Sequence, residues 1–153
     1  MTKHEEYMQK ALKEAEVAFE RDEVPVGCVI VYKGEVIARA HNQIKMLKDP
    51  TAHAEMIAIT QAAAYLKNER LNDCDMYATI EPCPMCAGAM VLARIKNLFY
   101  ATKDPKSGAA GSVCNILKSK KLNHRVKTKS GILENESRLL IQKFFRKKRK
   151  KER

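Results

Sequence analysis

The sequence lacks any apolar run near the roughly 20 residues needed to cross a bilayer. The opening MTKHEEYMQKALKEAE is polar and contains acids, where a leader would be basic and then apolar, so it is not expected to act as an export signal. The chain is therefore expected to stay in a reducing cytoplasm, away from membranes. Its five cysteines are expected there as thiols or metal ligands rather than disulfides, and the odd count agrees. There is no internal repeat, no low-complexity linker, no second CxxC and no HxxxH pair. The 153 residues, 45% of them apolar, are expected to form one domain, 1–153, with a core that needs no disulfide staples.

The charge is uneven. The net charge is +11, but Lys143–Arg153 holds eight Lys or Arg and one Glu, hence +7, leaving +4 for the rest. A basic tail on a nearly balanced body points to a polyanionic partner or to a solvated helix end.

Thr2-Lys3-His4-Glu5 has the spacing of a capping box, and Met8, Leu12, Ala15 and Phe19 then recur at helical intervals as far as Arg21. Val26–Tyr32 and Glu35–Asn42, joined at Lys33-Gly34, are predicted as a hairpin. Thr51 is the predicted cap of a helix through Lys67, with Ile57, Ile59, Ala62, Ala63 and Leu66 on its apolar face. A strand over Asp75–Ile80, a short helix over Pro84–Ala93 and a strand over Lys96–Ala101 follow. KDPKSGAAGS (103–112) has the composition of a surface loop. Ser112 is predicted to cap a short helix carrying Val113, Ile116 and Leu117. Arg125–Lys129 is predicted as a last strand, and basic Glu134–Arg149 as a last helix with Leu139, Leu140, Phe144 and Phe145 inward. The alternation in the middle implies parallel strands with crossover helices, and the hairpin makes the sheet mixed.

Two stretches carry chemistry. In Glu81-Pro82-Cys83-Pro84-Met85-Cys86, two cysteines three apart at a helix start share one face, and the first-turn amides favour thiolate. Pro84 suits a first helical turn. A lone CxxC fits a redox pair, half of a structural zinc site, or chance. A structural zinc needs four protein ligands, and Cys28, Cys74 and Cys114 sit in segments where small buried thiols are the default. The other stretch is His53-Ala54-Glu55 at the predicted helix start. Alone, His53 would be a backbone-bonded helix-start histidine and Glu55 a favourable charge at a helix N-terminus. Together with Cys83 and Cys86, His53 makes a three-ligand set that leaves a fourth position open to water, the hallmark of catalytic zinc. Two thiolates blunt the zinc's acidity, so a nearby base is useful, and Glu55 is the candidate.

These residues resemble the zinc-dependent nucleobase deaminases. The stretches EVPVGCVIV, IARAHN, DPTAHAE, EPCPMCAGAMV, DPKSGAAGS and FFR look like the bacterial tRNA-specific adenosine deaminase family over nearly the whole chain. The resemblance implies a three-layer α/β/α sandwich on a mixed five-stranded sheet, cytidine-deaminase-like. It implies a homodimer with one zinc per subunit, and conversion of the wobble adenosine of a tRNA anticodon loop to inosine. It assigns His53, Cys83 and Cys86 to the zinc and makes Glu55 the proton shuttle. It gives Asn42 a contact to the target nucleoside and the Ala54 backbone N–H a bond to the base. It places Asp104, Lys106, Ser107, Phe144, Phe145 and Arg146 against the anticodon stem-loop. Apolar side chains at helical spacing usually pack, so one of the two phenylalanines is expected inward.

Overall fold

The computed structural model describes residues 1–152; Arg153, the last residue of the predicted basic tail, lies outside them. Helix α1 (Lys3–Glu20) starts at the predicted capping box, with Thr2 and Glu5 satisfying each other's backbone N–H groups. Strands β1 (Gly27–Tyr32) and β2 (Glu35–His41) form the hairpin, and a four-residue helix α2 (Ile44–Leu47) follows. Then come α3 (Ala54–Leu66), β3 (Cys74–Ile80), α4 (Pro84–Ala93), β4 (Asn97–Thr102), β5 (Lys127–Ser130) and α5 (Glu134–Glu152).

The five strands lie in the order β2-β1-β3-β4-β5. The pairs β1–β2 and β1–β3 are antiparallel, whereas β3–β4 and β4–β5 are parallel. Because side chains alternate along a strand, the sheet is buried on both sides. Cys28, Ile30, Met76, Ala78, Leu98 and Tyr100 meet Ala54, Ala58, Ala62 and Met90 of α3 and α4. Val29, Val31, Tyr77 and Ala101 meet Met8 and Ala11 of α1. Helix α5 joins α1 on that second face, and the result is the expected three-layer arrangement with a mixed sheet. Contact with α1 is so close at Gly27 that a Cβ there would press on the Ala11 and Ala15 backbone.

Four local expectations are corrected. No helix forms at Val113–Leu117, which is turn-like, because the Ser112 amide and hydroxyl both bond the Glu81 carboxylate instead of capping a helix. Thr51 does not cap α3; its amide and hydroxyl both turn to Asp49. Leu139 and Phe145 of α5 face outward, at 56% and 43% exposure. The helix is phased by buried Ser137, whose hydroxyl donates to the Thr79 carbonyl, so its inward stripe runs Ser137, Ile141, Phe144. Cys114 is exposed, while Cys28 and Cys74 are buried as expected.

Candidate active site

Two helices aim their N-termini at one point. His53 is the N-cap of α3 and Cys83 the N-cap of α4, both extended in backbone and neither using its side chain to cap. Cys86 lies in the first turn of α4 behind Pro84. The first-turn amides of both helices, which have no partner within the helix, supply positive potential where thiolates must be held. His53, Cys83 and Cys86 present ligand atoms within 4.8 Å of one another. Tetrahedral zinc, with bonds of about 2.05 Å to nitrogen and 2.3 Å to sulfur, sets N···S separations of about 3.6 Å. His53 Nδ1 lies 3.7 Å from Cys83 Sγ and 3.6 Å from Cys86 Sγ. The donor set fits that ion and leaves a fourth position for a non-protein ligand.

The electrostatics agree. The hydrogen bond from Cys86, helped by His53 and opposed by burial, draws Cys83 down to about 4. The same bond to Cys83, with burial, pushes Cys86 up. The bond to Cys83 raises His53 against the opposing effect of burial. The trio thus shares protons that a divalent cation displaces on binding. Glu55, in the first turn of α3 and 2% exposed, is not part of the trio. Burial pushes its carboxyl up to about 7, against its own backbone hydrogen bond and His53. A carboxyl poised near neutrality can both take and return a proton.

Asn42 follows β2 and is held by its amide to the Val26 carbonyl at 3.1 Å. Its Oδ1 accepts the Ala54 N–H at 2.8 Å. The first free amide of α3 is therefore satisfied from another element, which leaves the His53 side chain free for the sulfurs. The N–H expected to bond the base meets Asn42 Oδ1 in this structure, and the Asn42 NH2 is a further donor beside it.

The loop after β4 is organised by carboxylates. Asp104 accepts from the Lys106 and Ser107 amides at 3.0 and 3.2 Å and from the Ser107 hydroxyl at 2.8 Å. Glu81, 1% exposed, accepts from the amides of Asp104, Ala110 and Ser112. Burial raises its pKa, but the Ser112 hydroxyl bond and these amide bonds together outweigh burial and hold it below the usual carboxylate range.

Beside this loop runs an open groove whose walls include Asp104, Lys106, Ser107, Arg138, Ile141 and Phe145. It continues past Arg146 and Arg149. Phe144 is buried edge-on against Phe19 and does not reach it. The structure therefore brings Asp104, Lys106, Ser107, Phe145 and Arg146 to one surface and leaves Phe144 in the core. The residues of the His-Cys-Cys cluster do not line this groove.

Sequence reasoning missed Arg138 and Arg149 in the groove, and Glu81 and Glu23 among the supports. Glu23, 3% exposed, accepts the Lys45 and Met46 amides and so caps α2. The signal in the sequence was an acid inside a run of apolar and turn residues, in both EVPVG and EPCPMC.

The chain matches the family model of MafB19-like deaminases over residues 2–149. It is 46% identical over 151 residues to the tRNA-specific adenosine deaminase of Bacillus subtilis (strain 168), covering 99% of this chain and 94% of that one. It is 50% identical over 145 residues to the enzyme of the same name from Aquifex aeolicus (strain VF5), covering 95% of each. A solved structure from work on A-to-I editing by tRNA:A34 deaminases superposes with a TM-score of 0.86 at 45% identity, covering 88% of this chain and 98% of that one. With 46% and 50% identity to those enzymes over nearly the whole chain and a fold that superposes on a tRNA:A34 deaminase structure, this chain belongs to the tRNA-specific adenosine deaminase family.

Proposed function

We propose that this chain hydrolyses the exocyclic amino group of the wobble adenosine in a tRNA anticodon loop, giving inosine and ammonia. The observation that carries the reading is the His53-Cys83-Cys86 cluster with Glu55 buried at the same helix start. Its three donors would hold one zinc per subunit, and the ion would supply the Lewis acidity that makes water a nucleophile near neutral pH.

Glu55 accepts a proton from the attacking water and delivers it to adenine N1 as oxygen adds to C6. It then carries the second water proton to the amino nitrogen. The C6–N bond breaks, ammonia leaves and the C6 carbonyl remains. The raised carboxyl pKa suits this alternation. Asn42, with Oδ1 tied to Ala54, offers its NH2 to an acceptor atom of the nucleoside and holds the ring in place. The base must leave its stack to enter, which an unpaired loop permits at least cost.

The groove along Asp104, Lys106, Ser107, Phe145 and Arg146 would take the flanking nucleotides. Phe145 offers a stacking surface, and the basic residues of α5 meet phosphates. A single domain over 1–153 and a homodimer complete the reading. The family likeness supports dimerisation, as do the exposed Tyr65 near the end of α3 and Leu92 near the end of α4. No helix among the described residues is long and apolar enough to cross a membrane, which accords with action in the cytoplasm on tRNA.

The test is inosine mapping in tRNA incubated with the protein, with chelator-treated protein as control. Inosine at the wobble position, lost on chelation and restored by zinc, is the expected result. Strong release of ammonia from guanine with none from tRNA would overturn the reading.

A further inference from the structure

We infer that Glu81 is a positioning residue for RNA binding, holding Asp104–Ser112 in the shape that meets the anticodon loop; this rests on the proposed reading that the loop contacts RNA. Glu81 follows β3 directly, and its own N–H donates to the Thr102 carbonyl at 2.9 Å. Its carboxylate then takes the Asp104 amide at 3.0 Å, the Ala110 amide at 2.9 Å and the Ser112 amide at 3.1 Å, together with the Ser112 hydroxyl. Both ends of a nine-residue loop (104–112) are thus clamped on one side chain.

Between those ends the loop crosses the carboxylate at Gly108, where a Cβ would collide with it. No Lys or Arg pairs with Glu81 among the described residues. A buried carboxylate without a counter-ion is costly unless backbone donors surround it, and here the loop supplies them. The order passes outward: Glu81 fixes the Asp104 backbone, and the Asp104 side chain fixes Lys106 and Ser107. Those two residues line the groove with Phe145.

Glu81 also stands two residues before Cys83, and the Ala109 amide donates to the Pro82 carbonyl at 2.8 Å. A support for the cysteine turn alone would therefore use the same residue, and only the kinetics separate the two roles. Glu81→Gln keeps the shape but turns an NH2 toward backbone N–H groups that need an acceptor.

The experiment measures steady-state inosine formation on an anticodon stem-loop RNA by zinc-loaded wild type, Glu81→Gln, Ser112→Ala and Lys106→Ala, with zinc content determined for each. For Glu81→Gln the expected result is a KM rise of about tenfold with kcat and zinc retained, the pattern of lost uniform binding. Ser112→Ala, which removes one donor from the clamp, should raise KM less and in the same direction, and it decides the matter if Glu81→Gln does not fold. An unchanged KM in both variants, or loss of zinc or kcat at unchanged KM, overturns the proposal and assigns Glu81 to the cysteine turn. Lys106→Ala tests the underlying reading separately. If it raises KM while Glu81→Gln does not, positioning alone fails; if it leaves KM unchanged, contact between the loop and RNA fails as well.

Discussion

The Ala54 N–H donates to Asn42 Oδ1 across 2.8 Å, so the residue after β2 caps the helix that carries His53 and Glu55. Under the proposed function, one side chain serves the fold and the site at once. Asn42→Ala should lose about 1–2 kcal/mol of unfolding free energy, as for loss of a helix cap. It should also lower kcat/KM on tRNA, because the free NH2 goes with it. Denaturant unfolding and inosine assays check both, and an unaltered stability would remove the capping role.

Buried Glu55 should make the metal-free protein sensitive to pH in a defined direction. Its carboxyl lies at about 7 in the folded chain, raised from 4.5. A raised carboxyl disfavours the charged folded form, so the penalty is absent below the unfolded value, grows between the two and is complete above about 7. Glu55→Gln removes the ionisation. In zinc-free protein its melting temperature should match wild type near the acid end of that window and exceed it progressively toward alkaline pH. A constant difference across the window would contradict the assignment.

Phe144 and Phe145 are adjacent but should behave oppositely. Phe144 is 3% exposed, and Phe145 is 43% exposed in the groove. Phe144→Ala should cost about 3 kcal/mol or more of stability, as for truncating a buried aromatic. Phe145→Ala should leave melting nearly unchanged while weakening stem-loop RNA binding by about 1–3 kcal/mol, the range for a lost base stack. Thermal melts beside RNA titrations separate the two.

The basic end of α5 should act through phosphates. Lys143 and Lys147 lie over the Phe19 ring at 5.4 Å each, which orients this part of the helix along α1. Removal of residues 147–153 should weaken tRNA binding more at low salt than at high. The plot of log K against log salt should flatten, its slope changing by about 0.7–0.9 for each phosphate that is no longer neutralised. An unchanged slope argues that the tail does not touch RNA.

What the sequence made legible was local. The capping box at Thr2 and Glu5, the hairpin turn at Lys33-Gly34 and the CxxC beside Pro84 each declare themselves within a few residues, and each forms as read. The His53-Cys83-Cys86 trio needed only one further inference, that His53 begins a helix. What stayed hidden depends on partners far along the chain. Asn42 reaches Ala54 across 12 positions and Glu81 reaches Ala110 across 29, and no periodicity marks such pairs. The face of α5 was misread for a related reason. Buried Ser137 sets its phase through the Thr79 carbonyl, whereas hydropathy gives the greater weight to Leu139 and Phe145. The four-residue α2 is too short to leave an amphipathic pattern, and its cap, Glu23, lies before the hairpin.

The most direct measurement is wobble-inosine formation in tRNA by zinc-analysed Glu55→Ala protein beside wild type. The account predicts that the variant keeps its zinc, because Glu55 stands outside the His53-Cys83-Cys86 trio, and that it forms no detectable inosine. Inosine at the wild-type rate from zinc-loaded Glu55→Ala would contradict the assignment of Glu55 as the group that moves the protons.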